Sequence, residues 1–392
     1  MKILVICQYY YPEPFRISDI CESLVRRGHD VTVVTGVPNY PEGVTYPGYE
    51  KGKKRDEVIC GVKVHRCFTV SRKTGAVRRL LNYYSYVFSS GRYIRTLPGD
   101  YDVVFVNQLS PVMMAQAGII YSLRHRKPLL MYCLDLWPES LIAGGISQDS
   151  PIYRFFYQVS KRIYTQMDAI LITSRMFARH LEEQFGIDCG KIRYLPQYAE
   201  SLFDISPEAL EKEGIDLMFA GNIGEIQSVE TILEAARQLK EEPVTFHIVG
   251  GGSDLERLRA LAAEWQLDRV VFYGRRPLDE MPDFYRKADA MLVTLKADPV
   301  LSLTLPGKVQ SYMAAGKPII GAINGETPRV IAEADCGFCA DAEDAEALAR
   351  SILLFANSDR KKQMAENARK YYEEQFAKER FLDTLERELL SP

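Results

Sequence analysis

Two successive series of short apolar segments, separated by helical stretches, constrain this chain more than any other feature in it. The first series is KILVIC (2–7), DVTVVT (30–35), VKVHRCF (62–68), DVVFV (102–106), PLLMYC (128–133), AILIT (169–173) and KIRYL (191–195). The second is IDLMFA (215–220), VTFHIVG (244–250), RVVFYG (269–274), AMLVTL (290–295), KPIIGA (317–322) and CGFCA (336–340). Near-continuous apolar runs of this length, alternating with helices, are strands of a mostly parallel sheet covered on both faces. Two such series predict two doubly wound α/β domains, and 392 residues suffice for two cores. The polar stretch AESLFDISPEALEKEG (199–214) marks the boundary, which gives domains at 1–204 and 205–372 and a closing helical segment at 373–392 that crosses back to the first domain. Sheets of this kind bind ligands beyond the carboxyl ends of their strands, so a nucleotide-like ligand and a second substrate are expected in a cleft between the domains.

Local signals agree with that plan. Residues 19–27 read as a helix that Gly28 can end in a left-handed conformation, completing a βαβ opening. No charged residue occurs from Val103 to Leu123, nearly the length of a membrane span. Asn107, Gln108, Ser110 and Pro111 interrupt the run, which reads as a buried strand followed by a buried helix. The start, MKILVICQYYYPEP, lacks the long apolar core and cleavage site of a signal peptide, so a cytoplasmic protein is expected. The close cysteine pair in CGFC lacks the partners of a zinc site and the helix start of a redox motif, and reduced, packed thiols are expected.

Three strand ends of the second series carry glycine: Gly221 and Gly224 in AGNIG, Gly250, Gly251 and Gly252 in GGGS, and Gly274 before Arg275 and Arg276. Any tight strand-to-helix turn needs glycine, but three on one sheet edge predict ligand contact. A helix expected at 228–239 stands behind AGNIGEIQ, and unpaired amides at a helix start attract an anion. Yet AGNIGEIQ holds no Lys or Arg. The fourth strand end supplies the cation: in LPGKVQSYMAAGKP a helix starts at Pro306 or Gly307, with Lys308 in its first turn. A lysine there opposes the helix dipole at up to about 1 kcal/mol unless an anion is near. Lys308, the helix-end amides, Asn222 and Gln227 are therefore expected to hold a diphosphate, with a solvated surface lysine as the plainer alternative.

These residues carry a resemblance. RRGHDVTVVT, AILITSRMFARHL, YRKADAMLVTL and YMAAGKPII resemble recurring segments of glycosyltransferase family 4, over essentially the whole chain. YYPEP, VPNYPEG, DLWPES, AGNIGEIQ and LPGKVQSYMAAGKPI resemble the branch that includes the bacterial fucosamine transferase-like enzymes of O-antigen and capsule assembly. The resemblance implies the GT-B fold, two facing Rossmann-like domains with an interdomain cleft. It implies a retaining transfer, without metal or other cofactor, from a nucleotide-sugar donor to a hydroxyl. For this branch it implies a UDP-linked N-acetylated deoxy sugar and a polyprenyl-diphosphate-linked glycan acceptor. The family commonly has an Arg and a Lys where this chain has Asn222 and Gln227, and two glutamates where it has Leu303 and Ser311. Ribose recognition then falls to Gln310 or Glu326, and nucleoside contacts to the loops at Gly250, Gly251 and Arg275.

In the first domain DLWPES puts Asp135 and Glu139 after the strand PLLMYC, where a carboxylate within hydrogen-bond reach can orient or deprotonate an acceptor hydroxyl. Asp135 also fits a helix cap. Gln108 stands where the family often has a polar acceptor-side residue, and YYPEPFR offers Glu13 and Arg16 as acceptor contacts.

Residues 51–95 contain twelve Lys and Arg against two acidic residues, although the chain as a whole carries a net charge of -3. Among them Val77, Leu81, Tyr84 and Phe88 recur at helical spacing beside Arg78, Arg79, Arg92 and Arg95. That composition fits a peripheral patch on the inner face of the plasma membrane, or a core helix with a solvated basic face. No recognised nucleic-acid module accompanies it. DYD (100–102) imitates a metal-binding triplet but precedes its strand, and the five histidines show no HExxH or paired spacing, so no metal site is expected. Two other classes share the architecture. A sugar-nucleotide epimerase wants a carboxylate and histidine set not assembled here, and a non-catalytic scaffold subunit is allowed by the absent Arg, Lys and Glu positions.

Overall fold

The computed structural model describes residues 1–73, 75–143, 145–205 and 214–391. It divides into two compact units, one of Met1–Leu195 with Leu382–Pro392 and one of Pro196–Phe381. Half of the polar stretch expected to separate the domains, residues 206–213, lies outside the described residues.

The first unit is built on β1 (Lys2–Ile6), β2 (Asp30–Gly36), β3 (Asp56–Ile59), β4 (Val62–Cys67), β5 (Val103–Gln108), β6 (Leu129–Cys133), β7 (Ala169–Ile172) and β8 (Ile192–Tyr194). Their order is β3-β4-β2-β1-β5-β6-β7-β8, and every neighbouring pair is parallel except β3 with β4. The winding reverses between β1 and β5, where sheets of this type open a crevice for ligands. β1, β5 and β6 are apolar without alternation because helices cover both faces, and Ile3, Val5, Val104, Phe105 and Met131 are fully buried. β3 was not among the expected strands. It is a short edge strand joined to β4 by Cys60 and Gly61, whose φ values of 47° and 85° are those of a type I′ hairpin turn.

The first helix spans Ile17–Arg26, and Gly28 beyond it takes φ 91°. The charge-free run divides into β5 and the helix Gln116–His125. The helix Ala76–Ile94 decides between the two readings of its apolar stripe. Val77 is 72% exposed, Leu81 49% and Phe88 73%, whereas Asn82, Tyr83, Tyr86 and Ser90 are buried. The stripe is therefore surface, and polar or hydroxylated side chains form the inner face. At the other end of the chain, helix Lys378–Leu390 is tied to the turn before β2. Arg27 Nη1 donates to Asp383 Oδ1 (2.7 Å) and Glu386 Oε2 (2.5 Å), and His29 Nε2 lies 2.7 Å from Glu386 Oε1.

The second unit carries β9 (Ile215–Ala220), β10 (Val244–Val249), β11 (Val270–Gly274), β12 (Ala290–Thr294), β13 (Ile319–Ala322) and β14 (Gly337–Ala340). All pairs are parallel in the order β11-β10-β9-β12-β13-β14, and the winding reverses between β9 and β12. Met218, Ala220, Met291 and Val293 pack on one face with Val309, Tyr312 and Met313 of helix Gly307–Ala314. Leu217, Phe219, Phe246 and Leu292 pack on the other with Ile232, Leu233, Leu348 and Ile352. Each large apolar side chain so buried contributes about 1.5–3 kcal/mol. One polar contact fixes helix Gly307–Ala314 at the end of β9: Tyr312 OH donates to Ala220 O (3.0 Å) and accepts from Ala220 N (3.1 Å).

Candidate active site

Backbone crowding accounts for the glycines at the carboxyl edge of the second sheet. A Cβ at Gly250 (φ 147°) would sit 1.8 Å from Gly221 O, and one at Gly252 would sit 2.2 Å from Ile223 O. Gly221 N donates to Val249 O (3.0 Å), Ile223 N to Gly251 O (2.9 Å) and Gly250 N to Gly274 O (2.9 Å). The loops after β9, β10 and β11 thus lie directly against one another.

Lys308 reaches this edge from the helix after β12. Its Nζ is the nearest atom to the position a Cβ on Gly221 would take, at 2.9 Å. It donates to Gln227 Oε1 (3.0 Å) and stands 3.8 Å from the Phe219 ring centroid. Lys308 and Tyr312 share one helix face, so the clamp on Ala220 also sets the lysine. Pro306 precedes the helix and no side chain caps its start. Among the described residues no carboxylate pairs with Lys308, and burial pushes its amine down to about 7. An anion at this edge would restore the charged form.

The remaining residues expected on the donor side fall into two groups. Asn222 and Arg275 are exposed, and among the described residues no carboxylate pairs with Arg275. Gln310 and Glu326 are buried. The Gln310 amide nitrogen, oriented by its hydrogen bonds, donates to Pro306 O (3.0 Å) and Gly307 O (3.1 Å) of its own helix. Glu326 opens helix Glu326–Ala334. A groove of about 720 Å³ beside the same loop contains Arg257 and Lys296. Both are already neutralised, Arg257 by Asp254 (2.6 Å) and Glu230 (2.7 Å), and Lys296 by Glu225 (2.5 Å).

In the first unit Asp135 follows β6 and accepts a hydrogen bond from Ser110 Oγ, after β5, which also lies 3.1 Å from Ser140 Oγ. Burial pushes the Asp135 carboxyl above the usual carboxylate range, against the Ser110 hydrogen bond. Glu139 turns inward: Oε1 accepts from Tyr153 OH (3.2 Å) and lies 2.9 Å from His180 Nε2. Gln108 ends β5 fully buried, its Nε2 donating to Leu109 O (2.9 Å) and its Oε1 without a partner among the described residues. Glu13 accepts from Asn39 N (2.8 Å), Tyr40 N (2.7 Å) and Tyr10 N (3.2 Å), joining the loops after β1 and β2. Burial raises its carboxyl to about 7 while the three amides pull the other way. Arg16 is half-buried at the start of helix Ile17–Arg26. Asp135 therefore meets Ser110 at the β5 and β6 ends, Gln108 lies two residues before Ser110 with its side chain bonded to Leu109 O, and Glu139 belongs to a separate cluster with Tyr153 and His180. Ser110, Tyr153 and His180 were not singled out from sequence, because their partners are distant in the chain and no spacing links them.

Among the described residues no group of three or more His, Cys, Asp or Glu is placed to hold a metal ion, and no helix is long and apolar enough to cross a membrane.

Two doubly wound units of this strand order define the GT-B class. Alr3699/HepE of Anabaena, solved in complex with UDP, has the same fold with a TM-score of 0.75 at 16% identity, over 100% of both chains. Residues 15–197 match the glycosyl transferase 4-like domain, and residues 203–371 match glycosyl transferases group 1. The chain is a GT-B-fold glycosyltransferase related to the group 1 glycosyl transferases. It is 30% identical to WbjE of Pseudomonas aeruginosa, named as a glycosyltransferase, over 57% of this chain and 61% of that protein's length. It is 25% identical to WcaI of Escherichia coli (strain K12), named as a colanic acid biosynthesis glycosyl transferase, over 81% of this chain and 82% of that one.

Proposed function

We propose that this chain moves a sugar, with retention and without a metal, from a UDP-linked donor to a polyprenyl-diphosphate-linked glycan in the synthesis of a bacterial surface polysaccharide. The sugar in this reading is an N-acetylated deoxy sugar of the fucosamine type. Residues 205–372 bind the donor, residues 1–204 bind the acceptor, and residues 373–392 brace the first domain. The observation that carries the reading is Lys308, a half-buried lysine with no carboxylate partner among the described residues, held at the reversal point of the second sheet against Gly221 and Gln227. Arg275 adds a second cation on the same edge with no carboxylate partner among the described residues.

As the bond between sugar and diphosphate breaks, negative charge grows on the leaving oxygen. Protonated Lys308 and the amides at the start of helix Gly307–Ala314 stabilise it in the transition state. Asp135, held by Ser110, orients the acceptor hydroxyl, which makes the transfer effectively intramolecular. Glu139 supports that segment from below. The UDP in HepE and the pathway named for WcaI agree with this donor and this setting. The exposed stripe of helix Ala76–Ile94 and its arginines fit the anionic inner face of the plasma membrane, where such an acceptor resides.

A thermal-shift panel with UDP, GDP, dTDP, ADP and NAD tests the donor half. A nucleotide at a hundred times its dissociation constant adds about 2.7 kcal/mol. Stabilisation by UDP alone is expected; stabilisation by none would leave the scaffold class as the better account.

A further inference from the structure

Arg72 lies beside two tyrosine rings of the first unit. It is half-buried, 5.9 Å from the Tyr40 ring centroid and 5.8 Å from that of Tyr83. Among the described residues no carboxylate pairs with it, in contrast to Arg66, which donates to Glu57 Oε1 (2.7 Å). Tyr9 packs on Tyr40 at 5.7 Å, and its buried hydroxyl finds no hydrogen-bond partner among the described residues. A buried hydroxyl left unsatisfied is unfavourable, and the rule for such groups is that something accepts or donates there.

The segment is also held still. Arg72 N donates to Asn39 Oδ1 (3.2 Å), Asn82 Nδ2 donates to Val70 O (2.6 Å), and Gln8 Nε2 donates to Asn82 Oδ1 (2.8 Å). Lys73 N donates to Gly43 O (2.9 Å). These bonds fix the backbone on either side of Arg72, so the guanidinium is presented from a braced segment.

We propose that Arg72, with Tyr9, Tyr40 and Tyr83, forms a phosphate subsite for the phosphate ester of a prenyl-linked acceptor. This rests on the acceptor reading above and deepens it. A guanidinium offers phosphate a bidentate fork, and the flanking rings keep it oriented. Two neighbours suggest which phosphate. Tyr83 lies in the field of Asp135, the residue assigned above to the acceptor hydroxyl. A few residues beyond Arg72 in the chain, the exposed stripe of helix Ala76–Ile94 begins at Val77 and continues through Leu80 and Leu81. The diphosphate of the proposed acceptor is likewise joined to a sugar at one end and to an apolar chain at the other.

Calorimetric titrations with farnesyl phosphate, inorganic phosphate and UDP test it on wild type, Arg72→Gln, Arg72→Lys and Lys308→Met. Farnesyl phosphate should bind Arg72→Gln at least about tenfold more weakly than wild type, with Arg72→Lys between them. UDP should bind Arg72→Gln as it binds wild type, and Lys308→Met should lose UDP but keep farnesyl phosphate. The donor and acceptor readings therefore fail separately. Farnesyl phosphate affinity within about twofold of wild type in both Arg72 variants would overturn the subsite. Inorganic phosphate binding as tightly as farnesyl phosphate, and equally dependent on Arg72, would overturn the prenyl assignment in favour of a free-phosphate site.

Discussion

Lys308 Nζ donates to Gln227 Oε1 over 3.0 Å, although 81 residues separate them in the chain. The loop after β9 thus lacks a cation of its own and borrows one from the helix after β12. Lys308→Met keeps the volume and removes the charge. Turnover should fall more than about a hundredfold, and the thermal shift with UDP should vanish. The melting temperature of the free variant should hold or rise, since the fold disfavours the charged amine. Turnover near that of wild type would sink the assignment.

Donor binding should take up a proton. Burial holds the free Lys308 amine at about 7, whereas a diphosphate beside it favours the charged form. Above about pH 7 the dissociation constant for UDP should therefore climb about tenfold per pH unit, until the pKa of the complex is reached. The terminal phosphate of UDP ionises near pH 6 and does not disturb that window. Calorimetry in two buffers of unlike ionisation enthalpy at about pH 8.5 should give an uptake approaching one proton. The folded amine lies below its ordinary 10.5, so the penalty is complete below about 7, where both states are protonated. It is relieved as pH rises from about 7 to 10.5, where the unfolded chain binds the extra proton. Lys308→Met should abolish both dependences.

Tyr312→Phe should weaken fold and donor site together. It strips Ala220 N and Ala220 O of the hydroxyl that satisfies both. Leaving those groups unmet costs about 1–3 kcal/mol, readable in urea denaturation. UDP affinity should also fall, because Lys308 rides on the same face of the helix. A variant that loses stability but binds UDP like wild type would separate the clamp from the lysine.

Strands such as ILVI in β1 or VVFV in β5 were legible because burial on both faces forces an unbroken apolar run. DEVI in β3 was not, since its exposure alternates over only four residues and its pairing follows from the turn at Cys60 and Gly61. Lys308 stood out because a cation in the first turn after Pro-Gly contradicts the helix dipole. Gln310 sits in the same short helix, but only the coordinates reveal that its side chain folds back to Pro306 and Gly307. His180 beneath Glu139 and Arg72 between two tyrosines had no signal at all. Their neighbours come from separate loops brought together by the sheet order, and no local spacing encodes that.

Glu386 should make the first unit sensitive to acid. Burial pushes its carboxyl up, but hydrogen bonds from His29 and Arg27 more than offset this, and the net direction is below the ordinary value. A depressed carboxyl contributes stability above its unfolded pKa and loses it as pH falls through the folded one. Glu386→Gln should therefore cost about 1 kcal/mol at neutral pH, because the pair is partly solvated. The difference from wild type should shrink as pH falls below the ordinary glutamate value and vanish once the pH is below the depressed folded pKa. An equal difference at both ends of the range would assign the effect to packing rather than charge.

Helix Ala76–Ile94 makes the last prediction, because its two faces are reversed relative to a core helix. Val77 and Phe88 are 72% and 73% exposed, so Val77→Glu with Phe88→Glu should leave the melting temperature within about 2 °C of wild type. The same pair should abolish co-sedimentation with vesicles containing anionic lipid. Apolar insertion is lost and two negative charges are added, each worth about 1 kcal/mol near the surface. Wild-type binding should weaken as salt rises, since its arginines act through a screened field. UDP binding, which the proposed function assigns to the second unit, should be untouched in the double variant. If that variant still sediments with the vesicles, the stripe is not the lipid contact, and the basic residues 51–55 must be tested in its place.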